Sequence, residues 1–130
     1  IDFIKKLESN KLTLEVLGNG EQNKPYLHVS DLISAMMCVV DNKSSATSIY
    51  NIASSYKNVF VRQIAQLVVQ ELSPKAYIKY GKSIGGWQGD VPQVFLDTSK
   101  LKTLGWKASL NGIEAVKKTI REIIKHRGSE

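Results

Sequence analysis

The sequence predicts an α/β fold, α+β when the chain is taken alone. Amphipathic helix patterns alternate with short β-branched runs, and Gly, Pro and Asn mark the boundaries between them. The helical stripes are plainest at Val61, Ile64, Ala65, Val68 and Leu72, and again at Ile113, Val116, Ile120, Ile123 and Ile124. The strand runs are plainest at Leu12–Leu17 and Ala76–Tyr80. They are too few for a complete doubly wound sheet.

In chain order, Asp2 to Glu8 carries Phe3, Ile4 and Leu7 at helical spacing and predicts a short helix. Leu12–Leu17 alternates as a strand and stops at Gly18-Asn19-Gly20, a turn signal. Pro25–Val29 reads as a second strand. Ser30 or Asp31 then caps a helix to Val40, apolar on most sides (Leu32, Ile33, Met36, Met37, Val40) and so expected to be buried. In that reading Met36 and Met37 fill gaps in a core, and Cys38 is a small buried hydrophobe. Asp41–Thr47 is a polar loop and Ser48–Ile52 a strand.

The helix from Val61 ends at Ser73-Pro74, and the strand Ala76–Tyr80 runs into a glycine-rich loop, Gly81–Gly89. Val94–Leu96 is a short extended piece. Asp97 or Thr98 caps a short helix that closes at Gly105, with Trp106 packing behind it. Asn111 opens the last helix, and residues 128–130 fray.

Bulk properties narrow the function. The chain has 130 residues, a net charge of +6 and a pI near 9.4. Residues 1–65 hold 7 basic and 6 acidic side chains, residues 66–130 hold 11 and 6. This favours anionic partners without choosing among them. Lys117, Lys118, Arg121 and Lys125 read as a solvated helix face. No nucleic-acid reader motif is present, which argues against nucleic acid as partner. No apolar run approaches the ~20 residues needed to cross a bilayer, so no membrane partner is expected. One cysteine and no leader pattern fit a reducing cytoplasm. The chain begins with Ile1 and runs at once into helix-like sequence, so a cut boundary is expected.

Catalytic signatures are missing. There is no Gly-x-Gly-x-x-Gly after an opening strand, no P-loop and no nucleophile elbow. His28 and His126 lack partners at metal-ligand spacing, so no metal site is expected.

Three stretches are distinctive in register. They are Gly18-Asn19-Gly20 through Lys24-Pro25-Tyr26-Leu27-His28-Val29-Ser30-Asp31; Tyr50-Asn51-Ile52-Ala53; and Trp87-Gln88-Gly89-Asp90-Val91-Pro92 with Asp97-Thr98-Ser99-Lys100-Leu101 and Leu104-Gly105-Trp106. Together they resemble the C-terminal portion of extended short-chain dehydrogenase/reductases. More narrowly they resemble nucleotide-sugar epimerases and dehydratases of the UDP-glucose 4-epimerase type.

The resemblance implies that residues 1–127 form the sugar-nucleotide-binding region of such an enzyme, lacking most of the Rossmann sheet. It implies NAD as cofactor of the parent enzyme, bound outside this chain. It also implies a Tyr-x-x-x-Lys pair outside this chain, so no residue here is catalytic. The Ser48–Ile52 strand would be a sheet edge, free to associate with a second copy.

By position, the resemblance assigns Gln22, Lys24, Tyr26, Trp87 and Asp90 to the nucleotide diphosphate sugar. Lys24 stands where the family has an arginine; it reads as a diphosphate contact or as a surface lysine. Gln22 reads as a ligand neighbour or a turn-edge residue, and Tyr26 as a pocket wall or a core-packing residue. Trp87 reads as a stacking platform or a buried loop anchor, and Asp90 as a turn-setter. No arginine lies between Arg62 and Arg121, so a second diphosphate clamp is missing. The leading reading is the substrate-binding part of a nucleotide-sugar epimerase or dehydratase, inactive alone. The alternative is a non-catalytic remnant or interaction module.

Overall fold

The computed structural model describes residues 1–42, 47–54, 56–87 and 89–128. Most of the expected 41–47 loop, Gln88, and Ser129-Glu130 of the expected frayed tail lie outside these.

Among the described residues, five helices and four short strands follow one another as α1 (Asp2–Ser9), β1 (Thr13–Val16), β2 (Asn23–Lys24), α2 (Val29–Asp41), β3 (Val59–Phe60), α3 (Val61–Leu72), β4 (Tyr77–Tyr80), α4 (Ser99–Lys102) and α5 (Gly112–Arg127). β1 and β4 pair in parallel, Thr13 opposite Tyr77 through Val16 opposite Tyr80. β2 and β3 form a two-residue antiparallel ladder. The mixed α/β architecture agrees with the sequence reading.

The first core lies where α1 and α3 cover the β1–β4 pair and α5 packs on α3. It gathers Ile4 and Leu7 of α1, Leu14 and Val16 of β1, Ala65 and Val68 of α3, and Val116 and Ile120 of α5. These are the helical and alternating positions that the sequence marks as apolar. Asn10 stops α1, its Oδ1 accepting from Leu12 N at 3.0 Å. α5 opens on a reciprocal cap: Asn111 Oδ1 accepts from Glu114 N (3.0 Å), and Glu114 Oε2 accepts from Asn111 N (2.8 Å). α3 has only half of that device. Gln63 Oε1 accepts from Phe60 N at 2.9 Å, while phenylalanine has no acceptor to return.

The second core is smaller. Ala35 of α2, Leu101 of α4, Trp106 and Ala108 form it, with Leu27, Cys38, Val39, Tyr50, Ile52 and Leu104 against them. Trp106 packs as expected, and its Nε1 donates to Ser34 Oγ at 3.2 Å. Gly105 takes φ +81°, the left-handed conformation that a helix-terminating glycine supplies. Thr98 stands at the α4 cap position without a side-chain cap bond, and Asp97 before it accepts from Ser99 N through Oδ1 at 2.9 Å.

Five expectations need correction. First, α2 is exposed on one side: Ile33, Met36 and Met37 are 55%, 54% and 53% exposed. Ala35, Cys38 and Val39 face the second core, and the opposite apolar stripe meets no layer among the described residues. Met36 and Met37 are therefore not core fillers, and Cys38 is only partly buried.

Second, the α2 cap is His28, not Ser30 or Asp31. Its Nδ1 accepts from Ser30 N (3.2 Å), which starts the helix earlier. A backbone N–H can only donate, so Nδ1 is the acceptor and Nε2 carries the proton toward Glu122 Oε2, 2.9 Å away. Asp31 instead braces the helix from inside. It accepts from Ser109 N, Ser109 Oγ and Leu110 N at 3.1, 2.6 and 3.2 Å.

Third, Pro25–Val29 is not a strand. The ladder falls at Asn23–Lys24, because Pro25 has no N–H to continue it. Fourth, Ser48–Ile52 is not a strand, for want of a neighbour to pair with. Its residues keep a strand's alternation, Tyr50 and Ile52 turned to the second core and Ile49 and Asn51 outward. Fifth, Val94–Leu96 is irregular, and the bridge falls one residue earlier, between Gln93 and Asn23.

Candidate functional site at the ends of the parallel strands

Parallel strands send their following loops out on the same side, and clefts in α/β folds form outside those carboxyl ends. Here the two loops are Leu17–Gln22 after β1 and Gly81–Asp90 after β4. Backbone bonds lace them together. Gly81 N donates to Val16 O and Gly18 O, both at 3.0 Å, and Asn19 N donates to Ser83 O at 2.7 Å. The approach is close enough to require glycine: a Cβ on Gly81 would lie 2.1 Å from Leu17 O.

Three of the five sequence-derived site residues meet here. Lys24 Nζ lies 3.2 Å from Asp90 Oδ1. The other Asp90 oxygen accepts from Gly86 N at 3.2 Å. Gln22 is only 3% exposed, and its side chain also donates to Asp90. The Gly86 N–H, followed by Lys24, holds the Asp90 carboxyl below the usual aspartate value. Gln22 Oε1 is buried with no partner among the described residues. An amide oxygen in that state is an open acceptor at the base of the loops.

The other two residues are placed differently. Trp87 is 69% exposed, so it does not anchor the loop by burial. Its ring lies against Gly89, which takes φ +90°. Tyr26 is half-buried, packs against the first core and lines a groove between α1, α3 and α5. Burial raises its hydroxyl pKa, with Lys24 opposing and Asp90 adding to the rise.

Sequence reasoning missed Arg62. It stands in the first turn of α3, ion-paired with Glu21, and its Nη2 donates to Asn19 O at 3.4 Å. An arginine thus does flank the Gly18–Gly20 turn, 38 positions along the chain from Lys24. Its place directly after β3 was the available signal. Asn58 was missed too. Its Nδ2 donates to Asn23 Oδ1 and Val94 O, both at 3.0 Å, fastening the two segments behind the site.

The glycines of the 81–89 loop do not fit a dinucleotide. They lead through the Asp90 turn to the Gln93 bridge, not into a helix N-terminus where a pyrophosphate would sit. Among the described residues no three His, Cys, Asp or Glu side chains gather to hold a metal ion. No helix among them is long and apolar enough to cross a membrane.

Comparison with known proteins points to one family. Residues 1–53 match the NAD dependent epimerase/dehydratase family. The dTDP-4-dehydro-6-deoxyglucose reductase of Escherichia coli is 26% identical over 92% of this chain and 37% of its own length. A crystal structure of UDP-galactose 4-epimerase, 31% identical, superposes with a TM-score of 0.79 over 96% of this chain and 39% of that one. The UDP-glucose 4-epimerase of Thermotoga maritima, solved with UDP-glucose, gives 22% identity and a TM-score of 0.74 over 95% and 38%. The chain thus spans little more than a third of the proteins it matches. Family match, relatives and fold point the same way: the chain is similar to part of the NAD-dependent epimerase/dehydratases.

Proposed function

We propose that residues 1–127 are the substrate-binding part of a nucleotide-sugar epimerase or dehydratase, and that the chain alone is not catalytic. The observation that carries this is the convergence of Gln22, Lys24 and Asp90 at the ends of β1 and β4. A nucleotide diphosphate sugar supplies what this cluster lacks. Its phosphates compete with Asp90 for Lys24 and recruit Arg62 from Glu21. Its polar groups offer donors to Gln22 Oε1. Trp87 presents an open aromatic face at the rim. The parent enzyme's NAD supplies hydride transfer. No step of it is assigned to residues of this chain, whose glycine loop does not fit the dinucleotide. A cytoplasmic setting suits such a substrate and the single cysteine.

The affinity expected is low. Lys24 is a point charge where a bidentate arginine is the family's choice, and a hydrogen bond to a charged group contributes about 1.5–3 kcal/mol. Isothermal titration with UDP-glucose, dTDP-glucose and UDP tests the reading. Weak heats that vanish in Lys24→Ala support it, and silence for all three ligands at millimolar concentration sinks it. Turnover of NAD by the purified chain would overturn the non-catalytic half.

One observation favours the alternative, a non-catalytic interaction module. Lys24 and Arg62 are both already neutralised by carboxylates of this chain, while α2 and the unpaired 47–52 segment present apolar surface. Association with a second copy through that edge belongs to this second reading.

A further inference from the structure

A cleft of about 720 Å³ opens where the N-terminal ends of α3 and α5 meet the 93–95 segment. It lies apart from Gln22, Lys24 and Asp90, none of which lines it. Its walls are largely apolar and include three exposed aromatic rings, Tyr56, Phe60 and Phe95. Phe95 is 76% exposed. A ring left in water so fully buries nothing for the fold and is available to a ligand.

Five amides line the same walls beside Tyr56 and Lys57, and of these Asn23 is fully spent on Glu21 O and Asn58 Nδ2. Gln63 spends its Oε1 on Phe60 N, leaving its NH₂ free. Asn111 spends its Oδ1 on Glu114 N, leaving its NH₂ free. Asn58 spends its NH₂ on Asn23 and Val94, leaving its Oδ1 free. The Gln93 side chain has no partner among the described residues. The helix caps and the Asn58 brace orient three of these amides, and with Gln93 what remains is donors and acceptors from three stretches of chain, 58–63, 93 and 111.

That layout selects a ligand shape. A nucleobase presents its polar atoms along edges in one plane. A pyranose ring presents apolar C–H faces above and below and hydroxyls around its whole perimeter. Aromatic walls with amides spread round the rim match the second. No carboxylate lines the cleft, and Lys57 does. An adjoining cleft of about 270 Å³ shares Tyr56, Lys57, Asn58 and Phe95 and adds Lys102 beside Asp97. Two lysines against one carboxylate leave the charge on offer positive. We propose that this cleft is a separate saccharide site, suited to a sugar that carries a carboxylate. The proposal is independent of the nucleotide-sugar reading, since the two sites share no residue.

The full chain, titrated with sodium glucuronate, glucose and uridine 5′-monophosphate, provides the test. The side-chain amide NMR signals of Gln63, Gln93 and Asn111 are followed. Glucuronate is expected to move all three, and glucose to move the same set at about threefold or higher concentration. Phe95→Ala should weaken glucuronate about tenfold, equivalent to about 1.4 kcal/mol, with the thermal midpoint unchanged. Gln93→Ala should weaken it less, and Lys24→Ala not at all. Unmoved amides with both sugars would overturn the proposal. So would uridine 5′-monophosphate moving them at lower concentration than glucuronate, or Phe95→Ala binding glucuronate as before.

Discussion

The β1–β4 block and the α2–α4 block bury their apolar sequence to different extents, although α2 is the most apolar of the long helices. In the first, α1 and α3 cover the parallel pair with α5 packed on α3, and Ile4, Leu7, Leu14 and Val59 reach complete burial. In the second, α2 is apolar on two opposite faces, and only the face with Ala35 finds a partner. A helix apolar all round belongs between two layers. The contrast teaches that apolar pattern specifies how many layers a helix needs, and not whether this chain supplies them.

Substitutions at matched apolar positions sharpen the contrast most. Leu14→Ala removes a fully buried side chain from the middle of β1, between helices that cannot close over the gap. A loss of about 2–5 kcal/mol is expected from urea unfolding. Met36→Ala on the open face of α2 should stay within about 0.5 kcal/mol. Equal losses at the two sites would mean that the α2 stripe is covered in solution.

Asp31 comes next, because it joins the two blocks. It sits on α2 and receives its three hydrogen bonds from Ser109 and Leu110, just before α5. Asp31→Ala leaves those donors unanswered, and about 1–3 kcal/mol should be lost. Burial works to raise the Asp31 carboxyl, but the Ser109 and Leu110 bonds hold it below its usual value. A folded-state pKa below the unfolded one makes the contribution complete above about pH 4, and it is lost as pH falls through the lowered value. The stability difference between the native chain and Asp31→Asn should therefore shrink as pH drops below 4. A difference that stays constant with pH would refute the role given to the carboxylate.

What the sequence made legible follows the same division. α3 and α5 were readable because their stripes end at Ser73-Pro74 and begin at Asn111, local signals with local causes. β1 and β4 were readable as runs, but their parallel pairing joins positions 64 apart and has no local mark. The Lys24–Asp90 pair spans 66 positions and was invisible for the same reason. Gln22, Lys24 and Asp90 entered through family resemblance, not through their chemistry. Arg62 escaped because its contact with the Gly18–Gly20 turn depends on α3 packing beside β1. Trp87 misled in another way, since indoles are usually buried and this one is held in the open by a glycine loop.

The smallest effect on stability belongs to the open stripe itself, and it is the most informative about association. Ile33→Ser with Met37→Ser replaces two apolar side chains that are each more than half exposed, so the folded state loses little burial. Unfolding free energy should change by less than about 0.5 kcal/mol. If the stripe and the unpaired 47–52 segment drive self-association, sedimentation velocity will show oligomers of the native chain that fall apart in the double variant. A pair of copies would have to hide about 800 Å² on each partner for a stable contact. The exposed Ile49 of the 47–52 edge can add to the α2 stripe in such a contact. Oligomers that survive the double variant would place the contact elsewhere, and a monomeric native chain would leave the stripe as a face that this chain does not use on itself.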